Sequence, residues 1–568
     1  MKRLRWIVVL VLVLVAGAIT CYQSLPPIAR AVLSSAALQT PVRGAFHVHS
    51  RRSDGTGTVE DIAAAAARAG LKFVILTDHG DASREPAAPA YLQGVLCIDA
   101  VEISTDGGHL VALGLPRSPY ALGGEARDVV EDVRRLGGMA IAAHPESAKP
   151  ELRWTDSSAP LDGVEWLNGD SEWRDEPVRT LARALLTYPF RAPETLATFL
   201  DRPQEALQRW DRLTTRRPTV AVAAADAHAR IGLRGGGDPY EDRLSVHIPG
   251  YEQVFRTLSI ALPNVTFSAN ASADARAVLD AIRRGHVFSS IDAVAAPIAL
   301  DFSASSGSQR AEMGDVLPMS GPLAFHVRTN APPDASILLM RDGQMVATAA
   351  APGLEYNSTE TGVYRIEIHL PGAPGQPPVP LVLSNPVYVR PAGVAGEPVI
   401  GPPAPKALDS QYGDGPAQNW RVENSPRSQG ALDVVAAVGG TQLSFRYAVG
   451  GTLAESPFVA LVMSVTAGLS EYDRLTFMAR ASRPTRVSVQ VRVPDGPHGQ
   501  RWHRSVYLDE AERPITVMFD DLMPRGTTTS QRPVLSSVRE VLFVLDTVNT
   551  RPGANGQVWI DNVKLGRP

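Results

Sequence analysis

From residue 41 to about residue 295, short apolar runs alternate with amphipathic stretches. "RGAFHV" is followed by "TVEDIAAAAARAG", where Thr58 with Asp61 makes a capping-box start and Gly70 a C-terminal stop, so a helix is predicted between them. "LKFVILT" is a continuous apolar run bounded by polar turns, the pattern of a strand buried on both faces. "VLCIDAVEI", "HLVALGL", "MAIAAHP", "LDGVEWL" and "TVAVAAADAH" read as further strands, with helical stretches such as 125–137 between some of them. This rhythm predicts an α/β parallel architecture, and the strand number suits a barrel. Residues 173–215 read as a helical insertion capping one face.

After residue 296 the pattern changes to short alternating strands, "PLAFHVRT", "SILLMRDGQMVATA", "GVYRIEIHL" and "NPVYVR", with Asp342-Gly343 a hairpin turn. Residues 296–392 are therefore expected to form a small Ig-like β-sandwich. A Pro/Gly-rich linker is assigned to 393–412, within and beyond "RPAGVAGEPVIGPPAPKA". Residues 413–568 return to strands and predict a second all-β domain of jelly-roll type. At the other end, Trp6–Ile19 is an unbroken apolar run behind Lys2, Arg3 and Arg5, with Ala16-Gly17-Ala18 as a small-residue cleavage pattern. Residues 1–22 are thus expected to be a signal peptide or membrane anchor, which makes the body extracytoplasmic: periplasmic, secreted or membrane-anchored.

Composition narrows the chemistry. A chain of 568 residues exceeds one hydrophobic core, and 44% apolar with 20% charged residues describes a globular protein. The net charge of −4 gives no basic field, so there is no strong nucleic-acid signature. With Cys21 and Cys97 alone, neither a disulfide framework nor a cysteine zinc site can form. Any metal must be held by His, Asp and Glu.

The candidates for that role stand at strand ends. His47 and His49 lie at i and i+2, so both are expected on one strand face. Alone, such a pair is an ordinary polar strand edge. "LTDHG" then places Asp78 and His79 after the second strand, and "AVEIS" places Glu102 at the end of the third. His109 opens a fourth, His144 ends another, and "AAADAH" ends on Asp226 and His228. Burying so many ionisable groups at one mouth is costly without a compensating cation. Arg51, Arg52 and Arg230 lie beside these motifs and are candidates to bind a substrate phosphate. His247 and His286 read as ordinary core or loop histidines. Trp154, Trp166 and Trp173 are offered both as a pocket lining and as packing.

"FHVHSRRSDGTGTVEDIAAAAARAGLKFVILTDHGD", "AVEISTDGGHLVALGL", "AAHPE" and "ADAH" resemble, in order, the motifs of the polymerase-and-histidinol-phosphatase (PHP) superfamily. The resemblance covers about residues 44–295. It implies a distorted (β/α)7 barrel with two to three divalent metal ions, zinc, manganese or iron. By position, His47, His49, Glu102 and Asp226 resemble the ligands of a first metal. Glu102 bridges to a second, held also by His109 and His144, and Asp54, His79 and His228 resemble a third site. Asp54 stands where some relatives carry histidine. Glu102 is thereby catalytic through the metal-activated water, and Asp78 is expected to orient its neighbour from behind the ligands rather than act as a base.

The last domain, through "YDRLTFMARASRPTRVSVQVRV" and "VWIDNVKL", resembles galactose-binding-like sandwiches and carbohydrate-binding modules, which implies a carbohydrate partner. The leading expectation is an exported metal-dependent phosphoesterase acting on a small-molecule substrate, similar to the nucleotide phosphatase and 5′–3′ exonuclease branch. Two alternatives stand beside it. One is an ester or carbamate hydrolase resembling carbaryl hydrolases, towards which "SNPVYV" at 384–389 leans. The other is a non-catalytic glycan-binding surface protein.

Overall fold

The computed structural model describes Trp6, Leu12, Gly17 and residues 19–33, 35, 38–174, 176–232, 245–246, 248–392, 405–409, 419–437, 440–495 and 499–568. The chain divides into two compact units. One holds residues 1–81, 85–116 and 133–398; the other holds 82–84, 117–132 and 399–568. Strands predominate in both.

The first unit opens with β1 (Val42–Val48), α1 (Val59–Arg68), β2 (Phe73–Leu76) and β3 (Val95–Asp99). α1 starts where expected, with Thr58 and Asp61 capping each other reciprocally. β1, β2 and β3 pair in parallel, as the apolar runs required. The next strands are β4 (Val101–Thr105), β5 (Gly108–Leu113), β6 (Met139–Ala142) and β7 (Gly163–Asn168). After them come α2 (Val178–Thr187), α3 (Ala192–Ala197), α4 (Gln204–Arg216), β8 (Val220–Ala224), β9 (Ser259–Leu262), α5 (Ala271–Arg283) and β10 (Phe288–Ser290). β4 to β8 form a second sheet in sequence order, antiparallel at β4–β5–β6 and parallel at β6–β7–β8.

A seven-stranded (β/α)7 barrel is therefore not what the ladders show. β4–β5, β5–β6 and β9–β10 all pair antiparallel, whereas a parallel ring needs a crossover that restores strand direction at each step. The two sheets instead meet at isolated parallel bridges, Val48 to Ala227 and His79 to Glu102. The apolar side chains of both sheets, among them Phe46, Ile75, Val111, Ile141 and Val222, share one buried core. "VLCIDAVEI" likewise proves to be two strands, β3 and β4, on different sheets.

The first sheet continues past the expected boundary at residue 296. β10 pairs with Val382–Ser384, which pairs with Gly362–His369, so the edge of β10 is covered by strands from the following segment. A four-stranded sheet led by Leu300–Ser306 and Leu323–Thr329 packs there over Phe302, Phe325, Ile337 and Ile366. The Asp342-Gly343 hairpin forms with both residues at positive φ, 49° and 82°.

The second unit contains two six-stranded sheets over a core including Phe445, Leu461, Phe477, Val489 and Phe543. Residues 117–132 belong to it, although they lie between β5 and β6 in sequence. The buried Arg486 accounts for this: its guanidinium donates to Asp132 at 2.8 and 2.9 Å and to the Asp128 carbonyl at 3.0 Å. The expected N-terminal signal or anchor lies almost wholly outside the described residues. Among those described, no helix is long and apolar enough to cross a membrane.

Candidate metal centre

The site is built from the ends and edges of both sheets. β1 carries a register shift between Ala45 and Val48, and His47 within it adopts a positive φ of 65°. That bulge replaces simple i, i+2 alternation, and it brings the Nε2 atoms of His47 and His49 to 3.0 Å. His144, just beyond β6, and Asp226, just beyond β8, also take positive φ, 28° and 45°. Left-handed backbone at three non-glycine residues persists only where the surroundings enforce it, and it gathers at functional sites.

Glu102 sits at the centre, fully buried on β4. Its Oε2 lies 3.1 Å from His47, 3.2 Å from His49 and 3.4 Å from His79. Its Oε1 lies 2.8 Å from His109 Nδ1 and 2.9 Å from His144 Nε2. Asp226 adds an oxygen 3.3 Å from His47 and 3.4 Å from His49. Asp54 forms a further focus, 3.0 Å from His228, 3.3 Å from His49 and 3.7 Å from His79. Three groups draw their ligand atoms within 4.8 Å of one another: His49, Asp54, His79 and His228; His47, His49 and Glu102; His79, Glu102 and His109. All nine expected ligand residues come together, with His49 and His79 shared between foci.

The donor set fits divalent cations. Imidazole nitrogens and carboxylate oxygens converge on the same points, and the opposite ring nitrogens are tied back into the protein. His144 Nδ1 meets the Leu152 carbonyl at 3.1 Å, His228 Nδ1 the Asp226 carbonyl at 3.0 Å, and His109 Nε2 the Ser104 hydroxyl at 3.2 Å. The protein's own charges are strongly coupled. Burial opposes a charge on His49, yet Asp226 and Glu102 push its pKa up to about 10. Burial likewise opposes ionisation of Glu102 and Asp226, and the imidazoles around them hold both well below the carboxylate range. Burial takes His79 the other way, down to about 4 despite Glu102. Groups opposed in this way make the cluster a candidate functional site.

No family model matches the chain. A 3′,5′-nucleoside bisphosphate phosphatase of Chromobacterium violaceum is 30% identical over 123 residues, which is 20% of this chain. The chain spans 43% of that relative's length. Among solved structures, the family 11 carbohydrate-binding module of the Clostridium thermocellum cellulase Lic26A-Cel5E is 17% identical. It aligns over 30% of this chain and 97% of that one, with a TM-score of 0.24. The family 30 module of Cel9D-Cel44B from Clostridium thermocellum is 14% identical over 26% of this chain and 91% of its own, with a TM-score of 0.21.

One residue of the site escaped the sequence reading. Glu165, wholly buried on β7, places Oε1 2.5 Å from His47 Nδ1, while its Oε2 accepts from the His144 amide at 2.7 Å and from Asn168 Nδ2 at 2.8 Å. Its signal was present as a lone carboxylate inside the apolar strand "GVEWL".

Asp78 accepts from the Ser50 amide at 2.7 Å and from the Ser50 and Ser53 hydroxyls at 2.8 Å each, so it secures the loop that carries Asp54. Arg52, expected to reach a substrate phosphate, spans Asp78 at 3.0 Å and Asp99 at 2.8 Å instead. Arg51 donates to the Thr56 carbonyl. Arg230 lies at the cluster, 4.0 Å from Asp54. Trp154 and Trp166 are buried packing residues, whereas Trp173 lines a cavity shared with Asp226, His228 and Arg230. His286 pairs with Asp315 at 2.9 Å, and His247 lies outside the described residues.

Proposed function

We propose that this chain is an exported, metal-dependent hydrolase of phosphoesters. The observation that carries the reading is the division of Glu102, one oxygen toward His47, His49 and His79 and the other toward His109 and His144. Such a carboxylate can serve two neighbouring cations at once. Bound there, divalent cations supply a hydroxide nucleophile near neutral pH and neutralise the charge of a phosphate. His47, His49 and Asp226 would hold one cation, His109 and His144 the second, and Asp54, His79 and His228 the third. The resemblance to PHP motifs and the phosphatase relative support the same class; export rests on the apolar run behind Lys2, Arg3 and Arg5.

The chain's own residues then divide the work. Glu165 fixes the His47 ring so that Nε2 faces the cluster. Arg230, beside Asp54, is placed to meet a phosphate oxygen at the cavity mouth. Part of the cavity wall beyond is apolar, with Trp173, Leu196, Phe199, Leu200 and Leu258, which suits a small apolar group on the substrate.

The test is turnover of p-nitrophenyl phosphate against p-nitrophenyl acetate by protein stripped of metal and reloaded with zinc, manganese or iron. Phosphate release that depends on metal and falls at least ~100-fold in His144→Ala is expected. Selective turnover of the acetate would move the assignment to ester hydrolysis, and full activity in His144→Ala would remove it.

A further inference from the structure

Helix α2 turns an apolar face outward. Val178 is 81% exposed, Leu185 68%, Leu186 44% and, just past the helix end, Phe190 67%. At 100° per residue, Val178, Ala182, Leu185 and Leu186 fall on one arc, with Arg179 and Arg183 along its flank. Ala184 and Thr187 form the buried side. An apolar arc edged by arginines on a short surface helix is the layout of a helix lying in a membrane interface.

The chain around it points the same way. The apolar run Trp6–Ile19 follows Lys2, Arg3 and Arg5, and residues just past its end lie on α2. The Cys21 thiol is 3.9 Å from the Leu186 carbonyl, Arg183 donates to the Ser24 carbonyl at 2.9 Å, and Arg191 donates to the Pro26 carbonyl. Residues 19–24 are helical, so Ile19 lies about 3 Å of helix rise from Cys21, and a bilayer holding Ile19 is within reach of α2. Tyr22 and Ile28, in the segment that runs over α2, are 75% and 66% exposed.

We propose that this face of α2, with Leu185, Leu186 and Phe190 as its anchors, rests in the headgroup region of a lipid bilayer, its arginines favouring anionic lipid. The apolar N-terminal run would then tether the chain and α2 would orient it. The inference is independent of the hydrolase assignment.

The experiment uses the full chain in vesicles of phosphatidylglycerol and phosphatidylethanolamine, with Cys21→Ser and an environment-sensitive dye on Leu186→Cys. A blue-shifted dye that loses roughly half its emission to nitroxide-labelled lipid is expected. Phe190→Cys, beyond the helix, repeats the measurement without touching α2 itself. Dye on Met345→Cys, 57% exposed in the same unit, should remain unquenched. A dye in water at Leu186 and Phe190 overturns the proposal. So does a shielded but unquenched dye, which would mean that protein covers the face, and so does equal quenching at Met345, which would mean unspecific adsorption.

Discussion

Glu165 Oε1 lies 2.5 Å from His47 Nδ1, and both side chains are fully buried. The same carboxylate receives the His144 amide, so one residue of β7 sets the positions of two imidazoles that face opposite oxygens of Glu102. Removing its charge should loosen both. Glu165→Gln is expected to lower divalent-metal affinity by about 10- to 100-fold, read by competition with a chromophoric chelator. Unchanged affinity would leave Glu165 as filler of the strand.

Metal binding should also appear as stability. Glu102, Asp226 and Asp54 bring three carboxylates into one buried cluster, and a cation that binds only the folded chain adds RT ln(1 + [L]/Kd). At about 100 times Kd, zinc or manganese should add about 2.7 kcal/mol, raising the unfolding midpoint of chelator-treated protein. Glu102→Gln should abolish that increment. A midpoint indifferent to both chelator and metal would show that the imidazoles and carboxylates satisfy one another.

The loop bearing Asp54 turns through Gly55, where an added Cβ would collide with the His49 carbonyl oxygen and meet the Tyr251 hydroxyl at 2.8 Å. That hydroxyl donates to the His49 carbonyl at 2.8 Å and accepts from the Thr56 and Gly57 amides at 3.1 Å each. Gly55→Ala should therefore displace the loop, costing about 1–3 kcal/mol in urea unfolding and weakening metal binding. A variant indistinguishable from wild type would mean the loop is free to shift.

Acid sensitivity is expected from Glu367, which is buried against Arg202 at 2.8 Å and against Arg365 and His369 at 3.0 Å each. Burial opposes its ionisation, but His369, Arg202 and Arg365 hold its pKa well below the carboxylate range. The folded pKa is below the unfolded one, so its stabilisation is present above pH ~4.3 and is lost as pH falls toward the depressed value. Glu367→Gln should cost about 3–5 kcal/mol at neutral pH and flatten the stability profile below pH ~4.3. A profile with the same slope as wild type would place the acid-labile group elsewhere.

Periodicity and spacing made much of the site legible. The apolar runs marked β1, β2, β5, β6 and β8, and most of the nine candidate ligands stand at or near their ends, with Glu102 on β4 and Asp54 in the loop after β1. The capping pair at Thr58 and Asp61 and the turn at Asp342-Gly343 were equally local, because each is settled by residues within one turn of chain. Glu165 went unseen because a single carboxylate in a buried strand acquires its meaning from His47, on another sheet.

What the sequence by itself determined was which residues can hold a cation and where along each strand they stand. The tertiary structure decided the rest, since direction and register depend on partners distant in the chain. It replaced a parallel ring by two sheets joined at the site, turned His47 through a bulge, and committed Arg52 to Asp78 and Asp99. It also drew residues 117–132 to the C-terminal sandwich, because the buried Arg486 guanidinium requires the carboxylate of Asp132.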